Sequence, residues 1–241
     1  PNTAMNGKRI LAFGAHPDDI EFGCGAFLLD AAEKGAHLNL VVLSRGEGGT
    51  HGDASVREAE SRQAAHMLGA DLQFLPTGGD TRIRSTLELT QHVARCIREA
   101  KPDIILAPTG HLNQHPDHRE THLLVRDAHR LARYGKTPEM GSLDAHAAQL
   151  LLFYEISSGS AAGEGLNSVL VDVSNHVENW KNLMGCHASQ TRNMDYIDLQ
   201  LSRARAYGIQ AGVHSAQRFY SESSLLATSS ADLANFRSQR F

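Results

Sequence analysis

Six short apolar runs punctuate the chain, and through its first half they alternate with stretches of helical spacing. Residues 9–14 read as a buried strand, 25–34 as a helix ended by Gly35, and 38–44 as the next strand. A glycine-rich loop, Arg45-Gly46-Glu47-Gly48-Gly49-Thr50-His51-Gly52, follows. Helical spacing then runs from Ser55 to Leu68 and stops at Gly69, whose freedom to take positive φ suits a helix end. Asp71–Leu75 reads as a strand broken at Pro76, Gly78-Gly79-Asp80 as a loop, Thr86–Ala100 as a helix, Asp103–Ala107 as a strand, and Arg119–Tyr134 as a helix. Beyond that the rhythm loosens. Gln149–Glu155 and Ser168–Val173 look like strands around a small-residue loop, Ser157 to Gly165. Helices follow over Asn175–Cys186 and Tyr196–Gln210, then a polar tail with serine-rich patches. Alternation of this kind predicts an α/β fold with a mostly parallel sheet. No repeat, long linker or charge block divides the chain, so a single domain over 1–241 is expected.

Two of these strands run into chemistry. Ala15-His16-Pro17-Asp18-Asp19 ends the apolar run Ile10-Leu11-Ala12-Phe13, and His115-Pro116-Asp117-His118 follows Ile104-Ile105-Leu106-Ala107. Charged groups at the mouth of a buried strand are costly unless a metal or a reaction employs them. In an open parallel sheet, ligands bind beyond the carboxyl ends of the strands. Both clusters therefore belong to one rim, provided that their strands are neighbours, and the pattern points to a zinc hydrolase.

Composition narrows the partners. The hydrophobic fraction of 41%, charged fraction of 21% and net charge of −4 describe an ordinary globular chain with no electrostatic reason to seek nucleic acid or an anionic membrane. No apolar stretch approaches the roughly 18 residues of a spanning helix, and Pro1 to Lys8 lacks the apolar centre of a secretory signal. Three widely spaced cysteines, Cys24, Cys96 and Cys186, form no disulfide framework and favour a reducing cytoplasm. Of the 14 histidines, His37, His66, His92, His129, His146 and His176 stand apart from other ligand types; only the grouped ones carry an argument.

A catalytic zinc takes three His or carboxylate ligands and keeps one position open. His16 and Asp19 can supply two and His118 the third. Asp18 is then a carboxylate beside the metal, free to take a proton from an attacking water. Helix capping is the plain alternative for the aspartate pair, but it explains one aspartate and leaves His16 unaccounted for. His111, His115, His118 and His122 sit at helical spacing, yet Pro116 disfavours helical geometry at His115 and suits a first helical position. That puts His115 in the loop and Asp117 and His118 in the first turn. His122, one turn on, is a competing ligand or a packing residue. A cationic His115 paired to Asp117 could stabilise an oxyanion.

AHPDD after the first strand, with HPDH about a hundred residues later, resembles the PIG-L/LmbE-like zinc deacetylases. That family includes enzymes that remove N-acetyl groups from N-acetylglucosaminyl compounds, among them the mycothiol- and bacillithiol-pathway deacetylases. Ser44-Arg45-Gly46-Glu47-Gly48-Gly49-Thr50, Arg57-Glu58-Ala59-Glu60, Leu170-Val171-Asp172-Val173-Ser174 and His187-Ala188-Ser189-Gln190 are similar to further segments of the family, so the resemblance runs from about residue 9 to about 220. It implies a Rossmann-like three-layer sandwich and Zn²⁺ on His16, Asp19 and His118, with Fe²⁺ able to occupy such a site in the cell. It further implies Asp18 as general base, later passing its proton to the departing amine, and His115, oriented by Asp117, assisting the tetrahedral intermediate. Arg57, and Asp80 with it, would contact the amino-sugar substrate. Pairing of Arg57 with Glu60 and a turn role for Asp80 are the structural alternatives. Glu47 is either a loop organiser or a site residue. Relatives often assemble, so a homo-oligomer is expected.

One position departs from the pattern. Some members carry a tyrosine two residues before the first histidine of the second motif, and here that residue is Asn113. Asn113, Tyr154, Tyr207, or zinc and His115 alone would take its place. Hydrolysis of another amide or an ester uses the same constellation, and a metal-stabilised sugar-binding protein without turnover is the non-enzymatic alternative. The loop at 46–49 lacks the G-x-x-x-x-G-K-[ST] and G-x-G-x-x-G patterns of nucleotide binding.

Overall fold

The computed structural model describes residues 3–75, 77–135, 137–159, 166–192, 195–233 and 236–238; Pro76 and 160–165, on which an expected strand break and most of an expected loop fall, lie outside them. Among the described residues seven strands form one sheet: β1 (Arg9–Gly14), β2 (His37–Val42), β3 (Asp71–Phe74), β4 (Ile104–Pro108), β5 (Leu150–Tyr154), β6 (Asn167–Asp172) and β7 (Ala216–Ser221). Their spatial order is β3-β2-β1-β4-β5-β7-β6. Strands β1 to β5 are parallel, and β7 runs antiparallel to both β5 and β6. The chain builds outward from β1 to β3, then returns to lay β4 on the other side of β1, with Ile10 opposite Ile104 and Ala12 opposite Leu106. The connections thus diverge between β1 and β4, and in open α/β sheets ligands bind beyond the carboxyl ends of the strands at such a point.

Alternating side chains feed two apolar layers. Ile10, Ala12, Leu40, Val42 and Leu106 face α1 (Asp19–Glu33), α2 (Ala54–Leu68), α5 (Val177–Gly185) and α7 (Tyr196–Ala211). Leu11, Phe13, Val41, Leu43, Ile105 and Ala107 face α3 (Leu87–Ala100) and α4 (Pro116–Leu131). The expected Rossmann-like sandwich, with a mostly parallel sheet between helices, is the fold that forms. Short helices α6 (Ala188–Thr191) and α8 (Ser230–Leu233) are the remaining α-helices among the described residues.

Three sequence expectations are corrected here. The first helix begins at Asp19 rather than 25, and its Gly23 and Gly25 are close-packing positions. A Cβ on Gly25 would lie 2.9 Å from Leu183 and Trp180, and one on Gly23 would enter the Tyr154 ring. The helix expected over 175–186 is split into a 3-10 turn at Ser174–His176 and α5, with α6 separate. The polar tail contains β7, the strand that joins β5 to β6.

The Gly23 contact yields a stability prediction. The Tyr154 ring is fully buried and its hydroxyl donates to Phe13 O at 2.5 Å, so it has nowhere to turn. Gly23→Ala should destabilise by about 1–3 kcal/mol. This would be read as a lower urea midpoint at unchanged slope; an unshifted midpoint would mean that the ring moves aside freely.

Candidate active site

Strand β1 delivers its last residues into a turn whose geometry is set locally. Pro17 restricts His16, and Asp18 holds φ 99° and ψ −29°, a left-handed conformation foreign to most side chains. Such backbone costs about 1–3 kcal/mol and persists where surrounding contacts enforce it, commonly at functional sites. The turn closes on itself: His16 N–H donates to Asp19 Oδ2 at 2.8 Å, and Phe22 N–H to the Asp18 carbonyl at 3.0 Å.

From β4 comes the other half. Pro116 is the first residue of α4 and His115 its N-cap, its Nδ1 accepting from Asp117 N–H at 3.2 Å. The loop-then-helix expectation for this motif therefore matches the backbone. Because β1 and β4 are adjacent, residues a hundred positions apart meet. His118 Nε2 lies 3.1 Å from Asp19 Oδ1, and His16 Nδ1 lies 3.6 Å from Asp19 Oδ2. One donor atom from each of His16, Asp19 and His118 falls within 4.8 Å of the others. All three side chains are largely buried, and His118 Nδ1 has no hydrogen-bond partner. Two imidazoles and a carboxylate, converging in a buried site, are a donor set suited to a divalent cation.

Asp117 is placed differently from expectation. Its fully buried Oδ2 is 3.0 Å from His16 Nε2 and accepts from Thr81 N–H at 2.7 Å. His115 Nδ1 stands at 3.9 Å, beyond hydrogen-bond range. The pairing forms with His16 instead of His115, because the N-cap geometry of His115 commits its Nδ1 to the backbone. With its proton on Nε2 toward Asp117, a neutral His16 would turn Nδ1 to Asp19. Thr81, with φ 66° at a β-branched residue, is a second strained position beside the site.

Electrostatics follow from this crowding. Burial pushes the Asp18 carboxyl up, and neighbouring Asp19 adds to it, against Arg57, His187 and His16; the result is about 6. Burial works against the Asp19 anion too, but His118 and then His16 hold it well below the usual range. For His16, burial opposes the cation, yet hydrogen bonds to Asp117 and Asp19 raise it to about 10. His115, nearly half exposed at the site mouth, is lowered by partial burial and by the charge of His16. Two carboxylates in adjacent positions are thus driven apart in acidity, a pattern that separates a proton acceptor from a ligand.

The other candidates divide. Arg57 is 5% exposed and directs its donors inward, to Pro17 O, Asp18 and Gly46 O. Glu60, the partner considered for it, instead accepts from Ser189 N–H and Oγ at 2.7 Å and ties α2 to α6. Asp80 is an organiser of the glycine loop, accepting from Ser44 Oγ at 2.5 Å and Gly48 N–H at 3.0 Å. Glu47 is another, accepting from Arg45 and Asp80 N–H. His122 belongs to the packing: its ring nitrogens lie 3.1 Å from Pro108 O and Glu222 Oε1. Tyr154 is bonded to Phe13 O and Tyr207 to Glu155, so neither phenol is available at the Asn113 position. Asn113 itself is exposed.

Reasoning on the sequence missed Glu21 and His187. His187 is fully buried, with Nε2 3.2 Å from Glu21 Oε2. Burial opposes its cation, but Glu21 and then Asp18 raise it. The signal was the HASQ segment, whose histidine carries no local hint of its distant partner.

Known proteins resemble this chain in sequence and in fold. The family model described as PIG-L, GlcNAc-PI de-N-acetylase, matches residues 11–129. The uncharacterized deacetylase YaiS of Escherichia coli is 35% identical over 132 residues, 54% of this chain and 71% of that one. The 1D-myo-inositol 2-acetamido-2-deoxy-alpha-D-glucopyranoside deacetylase of Streptomyces griseus is 29% identical over 190 residues, 64% of this chain and 57% of its own length. Among solved structures, the conserved protein TT1542 of Thermus thermophilus superposes with a TM-score of 0.78 at 27% identity, covering 91% of this chain and 96% of that one. GalB of Pseudomonas putida, a 4-carboxy-2-hydroxymuconate hydratase, shares the fold with a TM-score of 0.77 at 19% identity, over 92% and 99% of the two chains.

Proposed function

Because this chain belongs to the PIG-L family, we propose that it is a metal-dependent hydrolase that removes the N-acetyl group from an N-acetylglucosamine-type amino sugar or its conjugate, releasing acetate. The observation that carries the reading is the meeting of His16, Asp19 and His118 beside a further carboxylate, Asp18, outside that donor set, at the divergence of β1 and β4. His16, Asp19 and His118 would hold the cation, which we take to be Zn²⁺, with Fe²⁺ as the cellular competitor for the same donors. Bound there, it supplies Lewis acidity to an amide carbonyl and to water.

The protein's own groups do the rest. Asp18 takes the proton from the attacking water and returns it to the departing amine nitrogen, a role that needs a carboxylate able to exist in both forms. His115, at the exposed mouth, donates to the developing oxyanion. Asp117 holds the His16 ring against rotation. Asp117→Asn should weaken metal affinity by about 10- to 100-fold, since partners behind a metal ligand typically carry that much. Metal titration of the apo-protein measures this, and an unchanged affinity would remove Asp117 from the role.

The reading is tested by screening acetate release from N-acetylglucosamine conjugates, alongside short peptides and esters, with metal content measured on the same sample. Release from the sugars supports it; activity confined to peptides or esters overturns it. A hydratase with this fold makes acetate itself the readout that counts. No helix among the described residues is long and apolar enough to cross a membrane. A cytoplasmic location and a homo-oligomeric state belong to the same proposal.

A further inference from the structure

We propose that Thr81 is a substrate-contacting residue, its hydroxyl kept beside the candidate metal site to bond a ring hydroxyl of the acetylated sugar. This rests on the reading of the site as an amino-sugar deacetylase. The backbone fixes the place. Thr81 N–H donates to Asp117 Oδ2 at 2.7 Å, and the same oxygen lies 3.0 Å from His16 Nε2. A single hydrogen bond therefore separates Thr81 from the pair formed by Asp117 and a candidate ligand. On its other side the Asp80 carboxylate accepts from Ser44 and Gly48 in the glycine-rich loop. Asp117 is fully buried and Thr81 is exposed, so the chain passes from the buried pair to the surface at this residue.

Its conformation makes the side chain informative. Thr81 holds φ 66°, where a β-branched residue is strained by its own Cβ. The same loop places glycine at its two other left-handed positions, Gly78 at φ 91° and Gly79 at φ 102°. Glycine at 81 would present the same N–H to Asp117 without the strain, so the backbone bond does not account for threonine. Burial does not account for it either, since the residue is exposed. Among the described residues the Thr81 hydroxyl also has no hydrogen-bond partner. Strained backbone clusters where side chains meet ligands, and here neither burial nor an internal side-chain hydrogen bond offsets it. A hydroxyl suits a sugar. It donates and accepts, as ring hydroxyls do, and brings no charge to a place already crowded with carboxylates and imidazoles.

Three variants test this: Thr81→Gly, Thr81→Val and Thr81→Ser. Each is assayed zinc-loaded on the N-acetylglucosamine conjugate that the unaltered enzyme turns over fastest, and each is unfolded in urea. Glycine and valine both remove the hydroxyl, so KM should rise about 3- to 10-fold with kcat nearly unchanged, the worth of one neutral hydrogen bond. Serine keeps the hydroxyl and should hold KM near its original value. The urea midpoint of Thr81→Gly should be equal to or above that of the unaltered protein, because the strain is released. An unchanged KM in both Thr81→Gly and Thr81→Val overturns the proposal. So does a loss of kcat at normal KM, which would place the effect on Asp117 and the metal, or a lowered midpoint in Thr81→Gly, which would make threonine a stabilising residue. Failure of the unaltered enzyme to release acetate from any sugar is a separate result, and it removes the underlying reading together with this one.

Discussion

Asp18→Asn should leave the protein folded and able to bind its metal, yet reduce acetate release by about 10²- to 10⁴-fold, the usual worth of a placed general base. The substitution is nearly isosteric, and the carboxylate oxygen it alters belongs to none of the three candidate ligands. Asparagine keeps a carbonyl oxygen to accept from Arg57 Nη2, so the turn has no reason to relax. What it cannot do is take up a proton. Burial and Asp19 push the Asp18 carboxyl up, while His118 and His16 hold Asp19 down, so of the two it is Asp18 that would suit the proposed exchange. Metal content and turnover measured on one preparation decide the matter. Retained metal with full activity would place the base elsewhere.

His118→Ala is expected to be harsher, because it removes a ligand and leaves Asp19 with one histidine instead of two. Loss of the third donor opens the site to exchange, and activity should fall to background together with bound metal. Chelation of the unaltered protein should give the same endpoint, restored on adding back Zn²⁺. The two experiments separate a metal requirement from misfolding, since only the chelated protein can recover. Turnover that survives complete metal removal would refute the hydrolase mechanism.

Most of the candidate site's residues could be read along the chain. Apolar runs located β1, β2 and β4, and charged clusters at two strand ends singled out His16, Asp18, Asp19, Asp117 and His118. Pro116 placed the start of α4 through its fixed φ and missing N–H. The misses share a cause. Helix α1 is buried on nearly every face of its first half, so it lacks an amphipathic period, and its two glycines pack against Tyr154 and Trp180. Strand β7 looked polar because its Gln217 and Arg218 find partners supplied by other elements. Phe27 N–H donates to Gln217 at 2.7 Å, and Arg218 stacks on the Tyr207 ring at 4.0 Å. Glu21 and His187 escaped notice for the same reason: each is ordinary until the other is beside it.

Local chemistry along the backbone is enough to say which side chains stand at a strand's mouth, since side-chain alternation, proline and glycine act within a few residues. Strand order is a property of the whole sheet, chosen by burial and pairing summed over distant segments. Only that order set β4 against β1 and so brought His118 to Asp19, gave Asp117 to His16, and led Arg57 through the glycine loop to Asp18. Contacts across forty to a hundred residues leave no trace in local pattern, because the free energy that selects them belongs to the assembled layers.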